Sequence, residues 1–289
     1  MHLGQMNNNH CKYIRLPDGR RLTYAEYGPA SGKPVIAFHG APGSRLEHGD
    51  LSALQETDTN LIVVDRPGYG QSDFHPDRKL LDWPDDICHL ADALHLDRFA
   101  VMGYSGGGPY AAACGYKMAE RITRVALLSS PAPFELPQFT DNKLPASLAL
   151  FELAAQDYQQ AEQQLIELVA ATDSLLNIME ASASPADKTI FLDIDFRQMY
   201  SDNLAESSRQ GMAGLAYDMS ILAHPWGFDP AQINTEVYLW HGTEDHNVPI
   251  AMGYHLGNAI PQCRTHYLPG AGHYLMFEHW KEILQELIK

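Results

Sequence analysis

The sequence is poor in the features that mark secreted, disulfide-stabilised or membrane-spanning chains. Its four cysteines are scattered at positions 11, 88, 114 and 263 without a C-x-x-C pair, which argues against a disulfide framework or a zinc site. No apolar run approaches the roughly 18 residues needed to cross a bilayer. The first residues, MHLGQMNNNHCKY, lack a basic leader followed by an apolar segment. We therefore expect a cytoplasmic protein whose thiols are reduced.

Positive charge is also scarce. The chain has 20 Lys and Arg against 36 Asp and Glu, a formal net charge of −16. Most of this excess lies between residues 134 and 232, which hold 15 acidic and 4 basic residues. A surface of this sign repels nucleic acid and anionic membranes, so neither is an expected partner.

The 14 histidines raise the question of a metal site. The chain contains no H-E-x-x-H motif, and His241 and His246 lie in loop-like surroundings without further convergent ligands. We predict no metal and no cofactor. The expected partner is a small-molecule substrate, and the sequence leaves the oligomeric state open.

Short apolar runs rich in Val, Ile, Leu and Phe recur along the chain. They are typical of strands buried on both faces of a parallel sheet. Before them, residues 13–28 alternate between polar and apolar around Asp18 and Gly19, which predicts a β-hairpin. The apolar runs are PVIAFHG, NLIVVDRPGYG, FAVMGYS, RVALLSSP, NTEVYLWHG and RTHYLPGAGH.

Helical patterns separate these runs. Residues 44–47 fit an S-x-x-E capping box, and Asp85 to Leu96 places apolar residues along one helix face. Further helices are predicted over 106–118, around 252–259 and from position 279. The alternation of strands and helices predicts a doubly wound α/β sheet.

The alternation breaks between residues 134 and 232, where only amphipathic helical patterns occur. We predict a frayed N-terminus over 1–11, an α/β core formed by 12–133 and 233–289, and an all-helical cap over 134–232. A cleft between two such units is a favoured place for a ligand. Candidate cap residues facing that cleft are Phe139, Phe151, Met199 and Tyr217.

The stretch GYSGG places Ser105 in a G-x-S-x-G motif between a predicted strand and a predicted helix. A sharp turn there forces the serine into a sparsely populated backbone conformation, and glycine at 103 and 107 removes side chains that would collide. We predict that Ser105 is a nucleophile at the carboxyl edge of the sheet.

A serine hydroxyl needs a base to remove its proton. His273 follows the last predicted strand in a glycine-bearing loop, and Asp245 follows the strand before it. The chain order Ser, Asp, His fits the nucleophile-elbow arrangement, with Asp245 fixing the tautomer of the base. Glu244 and, more weakly, Glu135 compete with Asp245 for this role.

Acyl transfer also needs donors for the developing oxyanion. The N–H of Gly106, directly after the serine, is one candidate, and the N–H of Ala41 in the loop HGAPG is the other. Tyr104, next to the serine, is a candidate substrate contact.

Three neighbouring features have more ordinary interpretations. His39 is expected to brace its loop rather than touch substrate. Arg45, in the first turn of a predicted surface helix, is expected to be solvated, with a ligand contact as the alternative. The stretch DRPGYGQSD, from Asp65 to Asp73, carries turn signals and is assigned a structural role.

Taken together, the stretches FHGAPGSR, VVDRPGYGQSD, GYSGGG, HGTEDHNVP and PGAGHYLMFE resemble the α/β-hydrolase superfamily. The resemblance implies an eight-stranded, mostly parallel sheet, a Ser–His–Asp triad of Ser105, His273 and Asp245, and a helical lid. Serine at position 105 disfavours the dehalogenases and epoxide hydrolases, which have aspartate at the elbow. The loop HGAPG, where many lipase-like esterases have HGGG, disfavours a bulky lipase-type substrate.

Our leading hypothesis is a serine hydrolase acting on a small ester or related acyl compound through an acyl-enzyme. An aminopeptidase or amidase similar to the proline iminopeptidases is the first alternative, in which Glu152 or Asp157 of the acidic cap would hold the substrate's amine. The same triad can also serve carbon–carbon bond hydrolysis. A non-enzymatic ligand receptor on this fold is the alternative from a different class.

Overall fold

The fold was examined in a computed structural model that describes residues 11–134, 147–172 and 174–289. Eight β-strands form one sheet. They are β1 (Lys12–Arg15), β2 (Arg21–Tyr27), β3 (Lys33–Phe38), β4 (Thr59–Val64), β5 (Phe99–Tyr104), β6 (Ile122–Leu128), β7 (Val237–Gly242) and β8 (Cys263–Leu268).

The order of the strands across the sheet is β1-β2-β4-β3-β5-β6-β7-β8. Strands β3 to β8 pair in parallel, whereas β2 is antiparallel to both β1 and β4. The β1–β2 pair is the predicted hairpin, and Gly19 in its turn has a φ of 91°. The prediction of an eight-stranded, mostly parallel sheet is confirmed.

Eleven α-helices lie within the described ranges. They are α1 (Ser52–Glu56), α2 (Trp83–Ala93), α3 (Gly108–Lys117), α4 (Ser147–Gln156), α5 (Tyr158–Thr172), α6 (Leu175–Ser182), α7 (Ile194–Ser207), α8 (Ala213–Ala223), α9 (Ile250–Ala259), α10 (Leu275–Glu278) and α11 (Trp280–Leu287).

The strands are buried on both faces because helices cover each side of the sheet. In β3, Ile36 and Phe38 belong to one apolar cluster with residues of α2, α3 and α9, whereas Val35 and Ala37 belong to another with residues of α1 and α11. Side chains alternate between the faces of a strand, so a strand covered on both sides is apolar throughout. This is the physical reason for the continuous apolar runs in the sequence.

Helices α4 to α8 all fall between β6 and β7, and no strand occurs in the described part of this segment. They share an apolar core of their own, which includes Ala161, Leu165, Tyr200 and Leu215. That core extends to Tyr274, beside the predicted base, so these helices pack directly onto the loop that follows β8. The predicted boundaries of a cap at 134 and 232 remain a proposal.

The helix start predicted from the capping box at residues 44–47 is wrong. The only α-helix in this region of the described chain is α1, which begins at Ser52. The Ser44 hydroxyl instead donates to Asn203 Oδ1 at 2.8 Å, and the Glu47 carboxylate accepts from the N–H of Gly40. Both side chains are therefore committed to tertiary contacts and not to a helix terminus.

Within the described ranges, we find no helix that combines the length and the apolar character required to span a membrane.

Candidate active site

Ser105 lies directly after β5, in a short 3-10 turn over Ser105–Gly107 that leads into α3. Its φ of 49° places a non-glycine residue in the left-handed region, which indicates backbone strain. A Cβ at Gly103 would lie 2.2 Å from the carbonyl oxygen of Gly107, and one at Gly107 would lie 2.2 Å from that of Phe38. The two glycines are thus required for the sharp turn that exposes the serine.

The structure brings Ser105, His273 and Asp245 into one hydrogen-bonded chain. His273 Nε2 lies 3.0 Å from Ser105 Oγ, and His273 Nδ1 lies 2.8 Å from Asp245 Oδ2. Because Nδ1–H donates to the carboxylate, Nε2 is left to accept the serine proton. The second oxygen of Asp245 accepts from the N–H groups of Asn247 and Val248 at 2.9 and 2.8 Å.

The competing carboxylate Glu244 does not take this position. Glu244 is exposed, whereas Asp245 is buried against the imidazole. Glu135 and the candidate pocket residue Phe139 lie outside the described residues.

The charges along this hydrogen-bonded chain of three residues stabilise the protonated form of His273. Burial lowers the pKa of His273, but the Asp245 carboxylate outweighs it, so the pKa is raised above its ordinary value. Burial alone would raise the pKa of Asp245. The interaction with His273 outweighs burial, so the pKa of Asp245 is lowered. His241 is buried with a lowered pKa, chiefly from burial, and its Nε2–H donates to the carbonyl of Val248 at 2.8 Å.

The two predicted oxyanion donors lie side by side. A Cβ built on Gly106 would be 2.7 Å from the Ala41 Cβ and 3.4 Å from the Ala41 nitrogen. Neither N–H donates to a group in the described part of the chain. Both are therefore available to a ligand oxygen beside Ser105.

The peptide between Gly40 and Ala41 is held on its far side. The carbonyl of Gly40 accepts from His39 Nδ1–H at 2.7 Å and from Arg66 Nη2–H at 3.0 Å. The N–H of Gly40 donates to Glu47 Oε1 at 2.8 Å. Because C=O and N–H point in opposite directions in a trans peptide, binding the Gly40 carbonyl directs the Ala41 N–H away from Arg66.

Arg66 is fixed by a carboxylate from the helices that follow β6. Its Nε donates to Asp218 Oδ2 at 2.8 Å, and both side chains are completely buried. Arg78 and Tyr110 each donate to the other oxygen of Asp218 at 2.7 Å. Burial raises the pKa of Asp218, but the two guanidinium groups outweigh it and the pKa is lowered. The DRPGYGQSD stretch thus has a structural role: its Arg66 links Asp218 to the carbonyl of Gly40.

His39 braces its loop as expected. Its Nε2 accepts the N–H of Arg66 at 3.1 Å, and the ring is fully buried. Burial lowers the pKa of His39 well below its ordinary value, which keeps the ring neutral.

The expectation for Arg45 is wrong. Its guanidinium is buried and pairs with Asp65 at 2.8 Å and with Glu206 at 2.6 Å. Arg45 is therefore neither solvated nor in contact with the cavity that Ser105 faces.

Ser105 opens onto a cavity of about 770 Å³. Apart from Asp245 and His273, the buried part of its lining is apolar, and the other polar lining residues, Ser105, Ser182, His246 and Asn247, are exposed or half-buried. Asp245 is the only carboxylate, and there is no Lys or Arg, among the lining residues in the described ranges. The buried apolar residues include Leu165, Leu175, Leu215, Met219, Leu222, Val248 and Met252.

The prediction that Tyr104 contacts substrate is not supported. Its ring is buried and packs against His273, with ring centroids 5.2 Å apart, and it does not line the cavity. Within β5, Tyr104 shares a face with Ala100 and Met102, because every second side chain of a strand points to the same side, and the three belong to one apolar cluster. Among the candidate cap residues, Phe151 lines the cavity, whereas Met199 and Tyr217 do not.

The carboxylates proposed to hold an amine also lie elsewhere. Glu152 is exposed, and Asp157 accepts from the N–H groups of Gln159 and Gln160 at the start of α5. Within the described ranges, no cluster of three or more His, Cys, Asp or Glu side chains is arranged to hold a metal ion.

Comparison with known proteins finds relatives that are named for different activities. A serine hydrolase-like protein of Danio rerio is 30% identical over 107 residues, 36% of this chain and 33% of that protein. A proline iminopeptidase of Xylella fastidiosa is 33% identical over 114 residues, covering 38% and 36%. The chain thus spans about a third of these two relatives. A 2-hydroxymuconate semialdehyde hydrolase of Pseudomonas putida is 24% identical over 277 residues, covering 90% and 89%.

Among solved structures, a hydrolase from Pseudomonas aeruginosa has a similar fold, with a TM-score of 0.74 and 18% identity over 96% of this chain and 97% of that one. A strand order of this kind, with a serine at a sharp turn after a central strand, defines a class of α/β enzymes. The family model for the alpha/beta hydrolase fold matches residues 33–279. The chain belongs to the α/β-hydrolase fold family.

Proposed function

We propose that the protein is a serine hydrolase that cleaves uncharged esters through Ser105, His273 and Asp245. The observation that carries this is the continuous hydrogen-bonded chain from Asp245 through His273 to Ser105, which ends at an open cavity. Hydrolase names among the relatives agree with this activity class.

In the first half of the reaction, Ser105 Oγ attacks the ester carbonyl carbon while its proton passes to His273 Nε2. The carbonyl oxygen becomes an oxyanion that the N–H groups of Ala41 and Gly106 stabilise. Collapse of this intermediate breaks the bond to the alkoxy oxygen, which takes the proton from His273. The products are the free alcohol and an acyl group on Ser105.

The second half uses water in place of the serine. His273 Nε2 takes a proton from a water molecule, whose oxygen attacks the acyl carbon. The resulting oxyanion collapses, the proton returns to Ser105 Oγ, and the free acid leaves. Asp245 stays ionised and stabilises the imidazolium in both halves, in keeping with the lowered pKa of this carboxyl.

The lining of the cavity supports a large apolar group in the substrate. Burying apolar surface is favourable by about 25 cal/mol per Å², whereas an unpaired charge in such a site is costly. An amine deep in this cavity would find no carboxylate among the described lining residues other than Asp245, which is engaged with His273, and a carboxylate would find no Lys or Arg there. This favours neutral esters over the aminopeptidase alternative, and over any substrate whose charged group enters the cavity.

The volume of the cavity also bears on the expected size of the substrate. About 770 Å³ is within the range of sites for drug-sized ligands. The earlier expectation from the loop HGAPG, that a bulky substrate is disfavoured, therefore gains no support.

We further propose that the segment from residue 134 to 232 acts as the cap. Helices α4 to α8 supply much of the apolar lining, including Phe151, Leu165 and Leu215, while the chain's α/β part supplies Ser105 and His273. A cover of this kind excludes water and strengthens the hydrogen bonds to the oxyanion.

The test is a series of p-nitrophenyl esters from acetate through butyrate to octanoate, with the wild type beside Ser105→Ala. We expect kcat/KM to rise with chain length and Ser105→Ala to lose at least about 10³-fold in kcat. A fluorophosphonate probe should label Ser105, as located by mass spectrometry of the peptides. Full turnover by Ser105→Ala, or ligand binding by the wild type without hydrolysis of any ester, would overturn the proposal.

A further inference from the structure

A second buried carboxylate lies at the predicted base. Asp187 begins a 3-10 helix over Asp187–Leu192, between α6 and α7, and is 2% exposed. Its Oδ2 accepts the backbone N–H of His273 at 3.0 Å, and its Oδ1 accepts the N–H of Tyr274 at 2.9 Å. A side chain from the helices after β6 thus holds the backbone of the loop after β8, across 86 positions of sequence.

The carboxylate is itself held in place. The Ser184 hydroxyl donates to Asp187 Oδ2 at 2.8 Å, and the N–H of Asp187 donates back to that hydroxyl at 3.2 Å. Residue 272 must be glycine for this contact, since a Cβ there would lie 2.3 Å from the Asp187 carboxylate. The approach of the carboxylate to the loop is therefore built into both segments.

The other side of His273 is fixed from the sheet. Its carbonyl accepts the Ser129 hydroxyl at 2.9 Å, directly after β6. The imidazole is thus carried by a backbone that is bonded on its N–H side to Asp187 and on its C=O side to Ser129.

We propose that Asp187 is a positioning residue for His273: it aligns the imidazole with Ser105 and places a second negative charge near the imidazolium that forms. The inference rests on the proposed function, since it concerns the base of that reaction. Asp187 touches neither substrate nor the reacting atoms, and it acts through the backbone and charge of the loop. Through Asp187, the segment between β6 and β7 would help to position His273 as well as cover the cavity.

Several other groups act on the same imidazole and set the background for a pH measurement. Asp187 and Glu47 add to the effect of Asp245 in raising the pKa of His273, against the opposing effect of burial. His241 opposes a positive charge on its neighbour, and the rings of Tyr104 and Tyr274 pack against the imidazole.

The experiment compares Asp187→Asn with the wild type and with Asp193→Asn. Asp193 is a matched control, because its carboxylate also accepts two backbone N–H groups, those of Asp195 and Phe196, but it caps α7 on the exposed surface. The measurements are kcat and KM for p-nitrophenyl butyrate, the pH profile of kcat/KM, and the rate of fluorophosphonate labelling.

For Asp187→Asn we expect kcat and the labelling rate to fall about 10- to 100-fold, with KM nearly unchanged, because the imidazole is displaced from Ser105. We also expect the acidic limb of the kcat/KM profile to move to lower pH, since a negative charge near the imidazolium is lost. Asp193→Asn should match the wild type in all three.

A folded Asp187→Asn with wild-type kcat and an unmoved acidic limb would show that Asp187 is only structural, and would overturn this inference. If that variant does not fold, Ser184→Ala replaces it. This variant keeps the charge but frees the carboxylate, so kcat should fall about 3- to 10-fold with the acidic limb unmoved, and wild-type kcat would overturn the inference. A wild type that is not labelled at Ser105 would instead overturn the proposed function.

Discussion

The guanidinium of Arg66 donates through Nη2 to the carbonyl oxygen of Gly40 at 3.0 Å, on the side of that peptide opposite to Ser105's cavity. A second bond, from Nη1, goes to the carbonyl of His39. The planar guanidinium binds two carbonyls and the carboxylate of Asp218 through three different nitrogen atoms, whereas an ammonium group has only one nitrogen from which to reach them. The orientation of the proposed oxyanion donor Ala41 thus depends on a buried side chain one loop away.

Arg66→Lys should separate this role from charge alone. Lysine preserves a cation beside Asp218 but loses the paired bonds to the two carbonyls, so we expect kcat to fall about 10- to 100-fold with KM little changed. Measured kcat and KM for p-nitrophenyl butyrate, with the melting temperature of each variant, check this.

The matched control is Arg121→Lys. Arg121 also donates to two backbone carbonyls, those of Leu96 and Asp97, but away from the cavity. The Arg121→Lys variant should lose some stability and keep wild-type kcat. Equal kcat in the two variants would show that the Arg66 bonds do not serve the oxyanion.

The pH dependence of activity follows from the raised pKa of His273. The base must be neutral, so activity is lost as pH falls through its pKa, and we expect the acidic limb of kcat/KM to have an inflection above about 6.5. Asp245→Asn removes the main cause of that raised pKa and leaves burial, which lowers it, against the smaller raising effects of Asp187 and Glu47. The limb should then shift to lower pH while kcat falls by roughly 10³- to 10⁴-fold. An unmoved limb in this variant would show that the titrating group is not His273.

Much of this arrangement follows from local sequence. The buried strands, the glycines around Ser105, and the positions of Asp245 and His273 each depend on a few consecutive residues whose backbone preferences are strong. The geometry brings the three side chains together at the carboxyl edge of the sheet, as parallel strands require.

The supporting residues could not be found in the same way. Ser44 and Asn203, like Asp187 and His273, are far apart in sequence and meet only once the helices after β6 pack on the sheet. The S-x-x-E pattern at 44–47 was misleading for the same reason. The Ser44 hydroxyl, which would otherwise cap a helix, donates instead to the distant side-chain amide of Asn203. The burial of Arg45 could not be predicted either, because its partners Asp65 and Glu206 are distant in sequence and no local pattern pairs them with it.

Glu47 gives the stability of the fold a pH dependence of defined sign. Burial raises the pKa of Glu47 to about 7, although the N–H of Gly40 and the charge of Arg66 oppose the shift. Between the unfolded value of 4.5 and about 7, the folded protein keeps a proton that the unfolded chain has released. Stability from this group is therefore lost as pH rises through that window, by at most about 3 kcal/mol.

Glu47→Gln removes this titration. The difference in unfolding free energy between wild type and variant, measured by denaturant at several pH values, should change across the window in favour of the variant as pH rises. Glu56→Gln, on the surface beside Lys281, is the control and should follow the wild type. A constant difference for Glu47→Gln would contradict the assignment.

The depth of the cavity can be tested at Leu165, a buried residue of α5 that lines it. Leu165→Trp places an indole in the apolar interior, so a long acyl or alkoxy chain loses the space it needs while an acetyl group does not. Each methylene that can no longer be buried costs about 0.8 kcal/mol. We therefore expect kcat/KM for p-nitrophenyl octanoate to fall more than about 10-fold, with little change for the acetate. Ile166→Trp is the control, because the side chain of Ile166, next to Leu165 in the sequence, is 44% exposed and does not line the cavity. If Leu165→Trp left the ratio of kcat/KM for octanoate to that for acetate unchanged, the long chain would have to lie elsewhere.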